Sequence, residues 1–172
     1  MQYPFYDFSV PVFVKSLGAL SHLLEKASEL ATTKGGDDAV LNARLAPDML
    51  PFVSQIRIAC DNAKGASARL AGVEAPVMED TETTIAELKV RIEKTIAFIS
   101  SLTPEQFAEA GTRKIELKYF PGKYMTGEGY FKEYAIRNFF FHYVTAYDIL
   151  RVEGATIGKQ DFMSSLPLLD LN

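Results

Sequence analysis

One cysteine, two histidines and no tryptophan in 172 residues leave little material for several common chemistries. The lone Cys60 excludes an internal disulfide framework and a thiolate-rich zinc knuckle within one chain. With only His22 and His142, an all-histidine metal site cannot be assembled from one chain. Neither sign of charge dominates: 18 Lys+Arg against 22 Asp+Glu leave a net charge of −4, which is wrong for a general nucleic-acid binder that must face phosphates. Long apolar runs are also missing. The most apolar stretch, residues 134–150, is interrupted by Arg137, Asn138, His142 and Asp148 and is too short to span a bilayer, so no membrane partner is expected. The opening Met1-Gln2-Tyr3-Pro4-Phe5-Tyr6-Asp7 has neither a basic region nor an apolar core, so no export signal is read there and the expected compartment is the cytoplasm. There is no Walker-type loop, dinucleotide fingerprint, HExxH pair or nucleophile elbow.

What is present is a composition for a packed core. At 48% hydrophobic residues the chain can fold as one domain spanning residues 1–172, without an internal repeat or a hinge-like linker. Phe13, Leu17, Leu20, Leu24, Ala27 and Ala31 recur three or four residues apart and predict a first helix over residues 9–31, ended by Gly35-Gly36. The connector to Leu45 reads as extended or loop-like. A second helix follows Pro47-Asp48, with Phe52, Ile56, Ala59, Ala63, Ala66 and Leu70 on one face and Gly72 as its stop. The third opens at Thr84 and Glu87, which have capping-box spacing. Its stripe is Ile85, Leu88, Ile92, Ile96 and Ile99, and its wetter side carries Glu87, Arg91, Glu93 and Lys94. Thr103-Pro104-Glu105-Gln106 starts a short helical turn.

Residues 113–124 break the helical pattern. Ile115, Leu117 and Tyr119 alternate with Lys114, Glu116 and Lys118 before Pro121-Gly122, which predicts a short strand or hairpin. The last helix is expected over residues 128–152, with Phe131, Tyr134, Asn138, Phe141, Thr145, Ile149 and Val152 on one face and Gly154 as terminator. It is apolar nearly all round, so Phe140 and Tyr147 need cover from the N-terminal aromatic segment (Tyr3, Phe5, Tyr6) or from a second subunit.

The candidate site lies in that helix. Asn138 and His142 are four residues apart and emerge on neighbouring turns, Asn138 near the centre of the stripe and His142 about 55° from it at about 100° per residue. Polar groups aimed into a bundle need partners, since an unpaired buried amide or imidazole costs about 1–3 kcal/mol. The pair reads either as a satisfied core network or as a small polar pocket. Gln55, Asp61 and Asn62 of the second helix and Thr145 of the last are the other pocket candidates, although Asp61 projects nearly opposite its stripe and also reads as a solvated carboxylate. Cys60 reads as an inert core thiol and His22 as a boundary residue.

Leu41-Asn42-Ala43-Arg44-Leu45-Ala46-Pro47-Asp48-Met49, Ile58-Ala59-Cys60-Asp61-Asn62-Ala63-Lys64-Gly65, Asn138-Phe139-Phe140-Phe141-His142 with Thr145-Ala146-Tyr147, and Ile157-Gly158-Lys159-Gln160-Asp161-Phe162 together resemble an uncharacterised bacterial branch of the DinB/YfiT-like superfamily. The resemblance spans essentially the whole chain. It implies an all-α, DinB-like four-helix bundle, often a homodimer. In better-known relatives it implies a divalent metal held by three histidines, one from the second helix and two, four residues apart, from the last. Here the last-helix pair falls on Asn138 and His142, and the second-helix position falls near Gln55, Asp61 or Asn62. Amides are poor ligands for a transition metal. No complete ligand set remains and His142 is the best single ligand, so the cofactor expectation is none, or a divalent metal (zinc or nickel) held weakly.

The fold expectation is therefore an all-α DinB-like four-helix bundle with a short β-like excursion near residues 113–124. Two functions follow: a non-catalytic small-ligand-binding or stress-related protein, or a degenerate metal-dependent enzyme (thiol transferase or hydrolase-like) using His142 as ligand or base. The expected partners are a second copy in a homodimer and a small-molecule ligand.

Overall fold

The structure is a computed structural model that describes residues 4–171. A short α1 (Pro4–Asp7) leads into α2 (Val10–Lys34), with Pro11 in its first turn and Gly35, at φ 90, closing it in the left-handed conformation that glycine adopts freely. The connector expected to be a loop contains a third helix, α3 (Asp37–Leu41), whose Val40 and Leu41 are buried. A five-residue helix has too few turns to show a period, so the sequence pattern could not disclose it. Then come α4 (Phe52–Ala71) and α5 (Ile85–Ser100). The predicted capping box is formed: Thr84 Oγ1 accepts from Glu87 N–H at 3.2 Å, and Glu87 Oε2 accepts from Thr84 N–H at 3.0 Å. A cap from outside completes that helix start, where the Ile85 N–H donates to Asp37 Oδ2 of α3 at 2.8 Å.

The crossover to the last helix holds a 3-10 turn (Pro104–Phe107) and a two-stranded antiparallel hairpin, β1 (Lys114–Glu116) with β2 (Tyr124–Thr126), in register Ile115 opposite Met125. From Gly127 the chain is helical to Val152 in three pieces: α6 (Gly127–Gly129), a π-helical segment (Tyr130–Ala135) and α7 (Ile136–Val152). A Cβ on Gly127 would sit 1.7 Å from the Ala110 carbonyl oxygen, so only glycine permits this close approach. A last short helix, α8 (Lys159–Met163), lies against α2.

Cross-helix pairs fix the directions. Glu25 meets Lys89 and Asp37 meets Ile85, so α2 and α5 are antiparallel. Gln55 meets His142 and Arg69 meets Tyr130, so α4 and α7 are also antiparallel. Lys34 pairs with Glu153 while Phe13 packs on Phe139, so α2 and α7 run the same way. The order is up-down-down-up over α2, α4, α5 and α7, which long crossovers permit. Their buried faces share one hydrophobic core. Among the described residues no helix is long and apolar enough to cross a membrane.

The last helix departs from its expected face. Its buried residues are Phe139, His142, Tyr143, Thr145, Ala146, Ile149 and Leu150, whereas Phe141 is 57% and Val152 67% exposed. The π-helical segment holds one extra residue per turn, so a stripe extrapolated from Phe131 and Tyr134 is rotated out of phase beyond Ala135. Cover for this helix comes from α8. Phe162 stacks on Tyr143 at 4.3 Å between centroids, its carbonyl accepts from the Tyr143 hydroxyl at 2.7 Å, and its ring meets Tyr147 edge-on. The N-terminal segment covers something else: Tyr6 packs edge-on against Phe107 of the 3-10 turn, and Tyr3 lies outside the described residues. His22 joins the α8 attachment, with its Nε2 2.9 Å from Asp161 Oδ1.

Candidate functional site

The seam between α4 and α7 gathers most of the polar residues singled out in the sequence. Gln55 projects from the first turn of α4 and is almost wholly buried, and its amide nitrogen donates to the Leu50 carbonyl at 2.9 Å. That bond turns its oxygen toward α7, where Oε1 lies 2.7 Å from His142 Nδ1. A carbonyl oxygen only accepts, so the imidazole proton sits on Nδ1 and the lone pair on Nε2. Among the described residues Nε2 has no hydrogen-bond partner of its own. Burial pushes the His142 pKa below its ordinary value of 6.5, which keeps the ring neutral at pH 7.

Asn62 lies seven residues beyond Gln55 on the same face of α4. The antiparallel pairs Gln55–His142 and Arg69–Tyr130 bracket it along the α4–α7 seam. Its Oδ1 is buried and has no partner among the described residues. Asn138, expected near the centre of the buried face, is only half-buried, and His142, expected at the flank, is the buried one. The phase shift described above exchanges them.

Two candidates have their polar atoms committed elsewhere. Thr145 is buried, but its hydroxyl donates to the Phe141 carbonyl at 2.7 Å, a bond along its own helix. Asp61 faces α5, where one of its oxygens meets Arg91 Nη2, while the other meets Lys64 Nζ of its own helix, each at 2.8 Å. Cys60 is fully buried and burial pushes its thiol up to about 12, as an unreactive core sulfur requires.

Sequence reasoning missed a second polar centre. Arg91, placed on the wetter side of α5, has a side chain only 1% exposed. Its guanidinium meets Asp61 at 2.8 Å, Glu82 at 2.9 Å, Asp80 at 3.0 Å and the Glu79 carbonyl at 3.1 Å. Glu82 also accepts from Arg57 Nε at 2.9 Å. The network ties the α4–α5 crossover to both helices and walls a cleft of about 370 Å³ with Met78, Thr81 and Val90. No spacing within α5 disclosed that burial, since its neighbour Val90 is itself 45% exposed.

The three-histidine arrangement implied by the superfamily has no counterpart in these donors. The side chain that meets His142 is the amide of Gln55, to which its Nδ1 is already committed. Among the described residues no group of three or more His, Cys, Asp or Glu side chains could hold a metal ion. The donor set does not fit a tight transition-metal centre.

An NMR titration of the two histidine rings should find His142 titrating below 6.5, since its folded pKa is depressed. The sign follows: the buried neutral ring contributes fully above the unfolded pKa of about 6.5, and that contribution is lost as pH falls through the lower folded value. Denaturation midpoints at pH 7.5 and 5.5 should therefore differ more in the parent chain than in His142→Gln. A His142 midpoint at or above 6.5 would show that the ring is not buried as a neutral group.

This up-down-down-up four-helix bundle with a polar seam between its second and last long helices has the DinB-like fold. The chain belongs to the family described as Domain of unknown function (DUF1993), which it matches over residues 5–163. It is similar to the crystal structure of a DinB family member protein from Shewanella denitrificans, with 39% sequence identity and a TM-score of 0.93 over 99% of this chain and 100% of that one. No curated protein matches it.

Proposed function

We propose that this DinB-like protein binds a small ligand without catalysing its conversion, at the α4–α7 seam and without a resident metal. The observation that supports this reading is the Gln55–His142 bond, which fixes the imidazole as an acceptor at Nε2. Two turns along the same seam, about 10 Å by helix rise, Asn62 Oδ1 is a second buried acceptor without a partner among the described residues. Two acceptors favour a ligand that donates N–H or O–H groups, such as an amine, amide or polyol. A stress-related role fits a binding protein of this kind. The second reading, a degenerate metal-dependent enzyme of the thiol transferase or hydrolase-like kind, draws on the same unprotonated Nε2 as a weak zinc or nickel ligand or as a base. The cytoplasm is the proposed setting, in keeping with a buried and unpaired Cys60. A homodimer is the proposed assembly.

Metal analysis of untagged protein, followed by zinc and nickel titration, separates the two readings. The binding-protein reading expects far less than one equivalent after purification and no saturable heat at micromolar metal. Stoichiometric, chelator-sensitive metal that disappears in His142→Ala would overturn it in favour of the enzyme. Amine and polyol fragments screened by NMR should shift the His142 ring resonances, and these shifts should vanish in Asn62→Leu.

A further inference from the structure

Beyond α8 the described residues 164–171 take no regular structure and leave their apolar side chains bare. Ser164, at φ 58, breaks the helix, and Pro167 prevents its continuation. Leu168, Leu169 and Leu171 are then 82%, 93% and 102% exposed, and Leu166 is half-exposed. Surface leucines occur singly in most proteins, but four within six residues of extended chain do not stay in water without a purpose.

A complementary surface exists elsewhere on the same chain. The β1–β2 hairpin has only three residues per strand, belongs to no larger sheet and presents unpaired edges. Ile115, Leu117, Phe120, Lys123, Tyr124 and Met125 line an apolar cleft of about 230 Å³ there. Tyr119, Phe120 and Tyr124 around it are exposed. Residues 113–124 carry Arg113, Lys114, Lys118 and Lys123 against the single acid Glu116, whereas residues 164–171 carry no base and one acid, Asp170. No residue of the arm lines the cleft in its own chain.

We propose that residues 164–171 of one copy dock along the hairpin cleft of a second copy, and the second copy's arm docks reciprocally. The extended arm adds to a hairpin edge as a short strand, its alternate leucines enter the cleft, and Asp170 lies among the lysines. Two such contacts related by a two-fold axis make the interface isologous and closed. This proposal rests on the homodimer reading and specifies its interface.

Light scattering at low micromolar concentration should give about twice 19.1 kDa for the full chain. The arm variant Leu168→Asp/Leu169→Asp and the cleft variant Phe120→Glu/Tyr124→Glu alter exposed side chains, so both should fold, as circular dichroism will verify. Each should weaken self-association by roughly tenfold or more, on the scale of losing a buried leucine. Mixed together they should recover a heterodimer, because the cleft variant's intact arm meets the arm variant's intact cleft. A monomer at every concentration, including one whose arm folds onto its own cleft, would overturn both the arm exchange and the homodimer. A dimer indifferent to both variants, or a mixture that fails to complement, would overturn the arm exchange and leave the homodimer standing.

Discussion

Phe139→Ala is expected to cost about 3–5 kcal/mol of folding stability, the range for deleting a fully buried aromatic ring. Phe139 has no exposed surface and sits edge-on to Phe13 at 4.9 Å and to Phe140 at 5.3 Å, with Tyr143 at 6.1 Å. It joins α7 to α2, two helices that otherwise touch sparingly, so neighbouring groups have little means of closing the cavity. At about 2–4 °C per kcal/mol for a domain of this size, the melting temperature should fall by roughly 6–20 °C. Phe141→Ala, two residues on and more than half exposed, should stay within about 0.5 kcal/mol. Chemical denaturation of both variants checks the pair. Equal losses, or a larger loss at Phe141, would show that the buried face of α7 is assigned to the wrong side.

Arg91→Met should produce a loss of comparable size for an electrostatic reason. Removing one partner of a buried charge network costs about 3–5 kcal/mol, because the remaining charges stay buried without compensation. Glu82, mostly buried, is the carboxylate most affected. Burial alone would raise its pKa, but the bonds from Arg91, its own backbone and Arg57 outweigh that and hold it below the ordinary carboxylate value. A depressed carboxylate contributes stability that is present above its unfolded pKa of about 4.3 and is lost as pH falls through the folded value. With Arg91 gone, burial dominates and Glu82 takes up a proton more readily. The destabilisation should therefore be greatest at neutral pH and shrink toward pH 4. Arg91→Lys should fall between, because one ammonium cannot reach the three carboxylates that the planar guanidinium meets. A loss below about 1 kcal/mol at pH 7 would place the network among surface ion pairs.

Both substitutions bear on what the sequence disclosed. Regular stripes on α2, α4 and α5, the Thr84–Glu87 capping box and the alternation around Ile115 are local features, and local features survive into the fold. Gln55, Asn62, Asn138 and His142 were identifiable for the same reason: polar residues on or beside an apolar stripe must meet something. Arg91 was misplaced because its burial depends on three acids from α4 and the crossover, which no spacing within α5 reveals. The exchange of Asn138 and His142 had a different origin. A helix apolar on nearly every side has no preferred phase of its own, and the π-helical segment ahead of it shifted the one extrapolated from Phe131.

By itself, then, the sequence determined an all-α bundle, four long helices, the glycine stops of α2 and α4 and the capping box of α5, because period, capping and turn chemistry act within a few residues. Tertiary structure alone decided which face of the last helix is inside, that α8 rather than the N-terminal segment covers Tyr143, and that Gln55 is the residue holding the His142 proton. Each of these depends on how one helix is rotated against another. That rotation is set by side chains far apart in sequence, since Gln55 and His142 are separated by 87 residues.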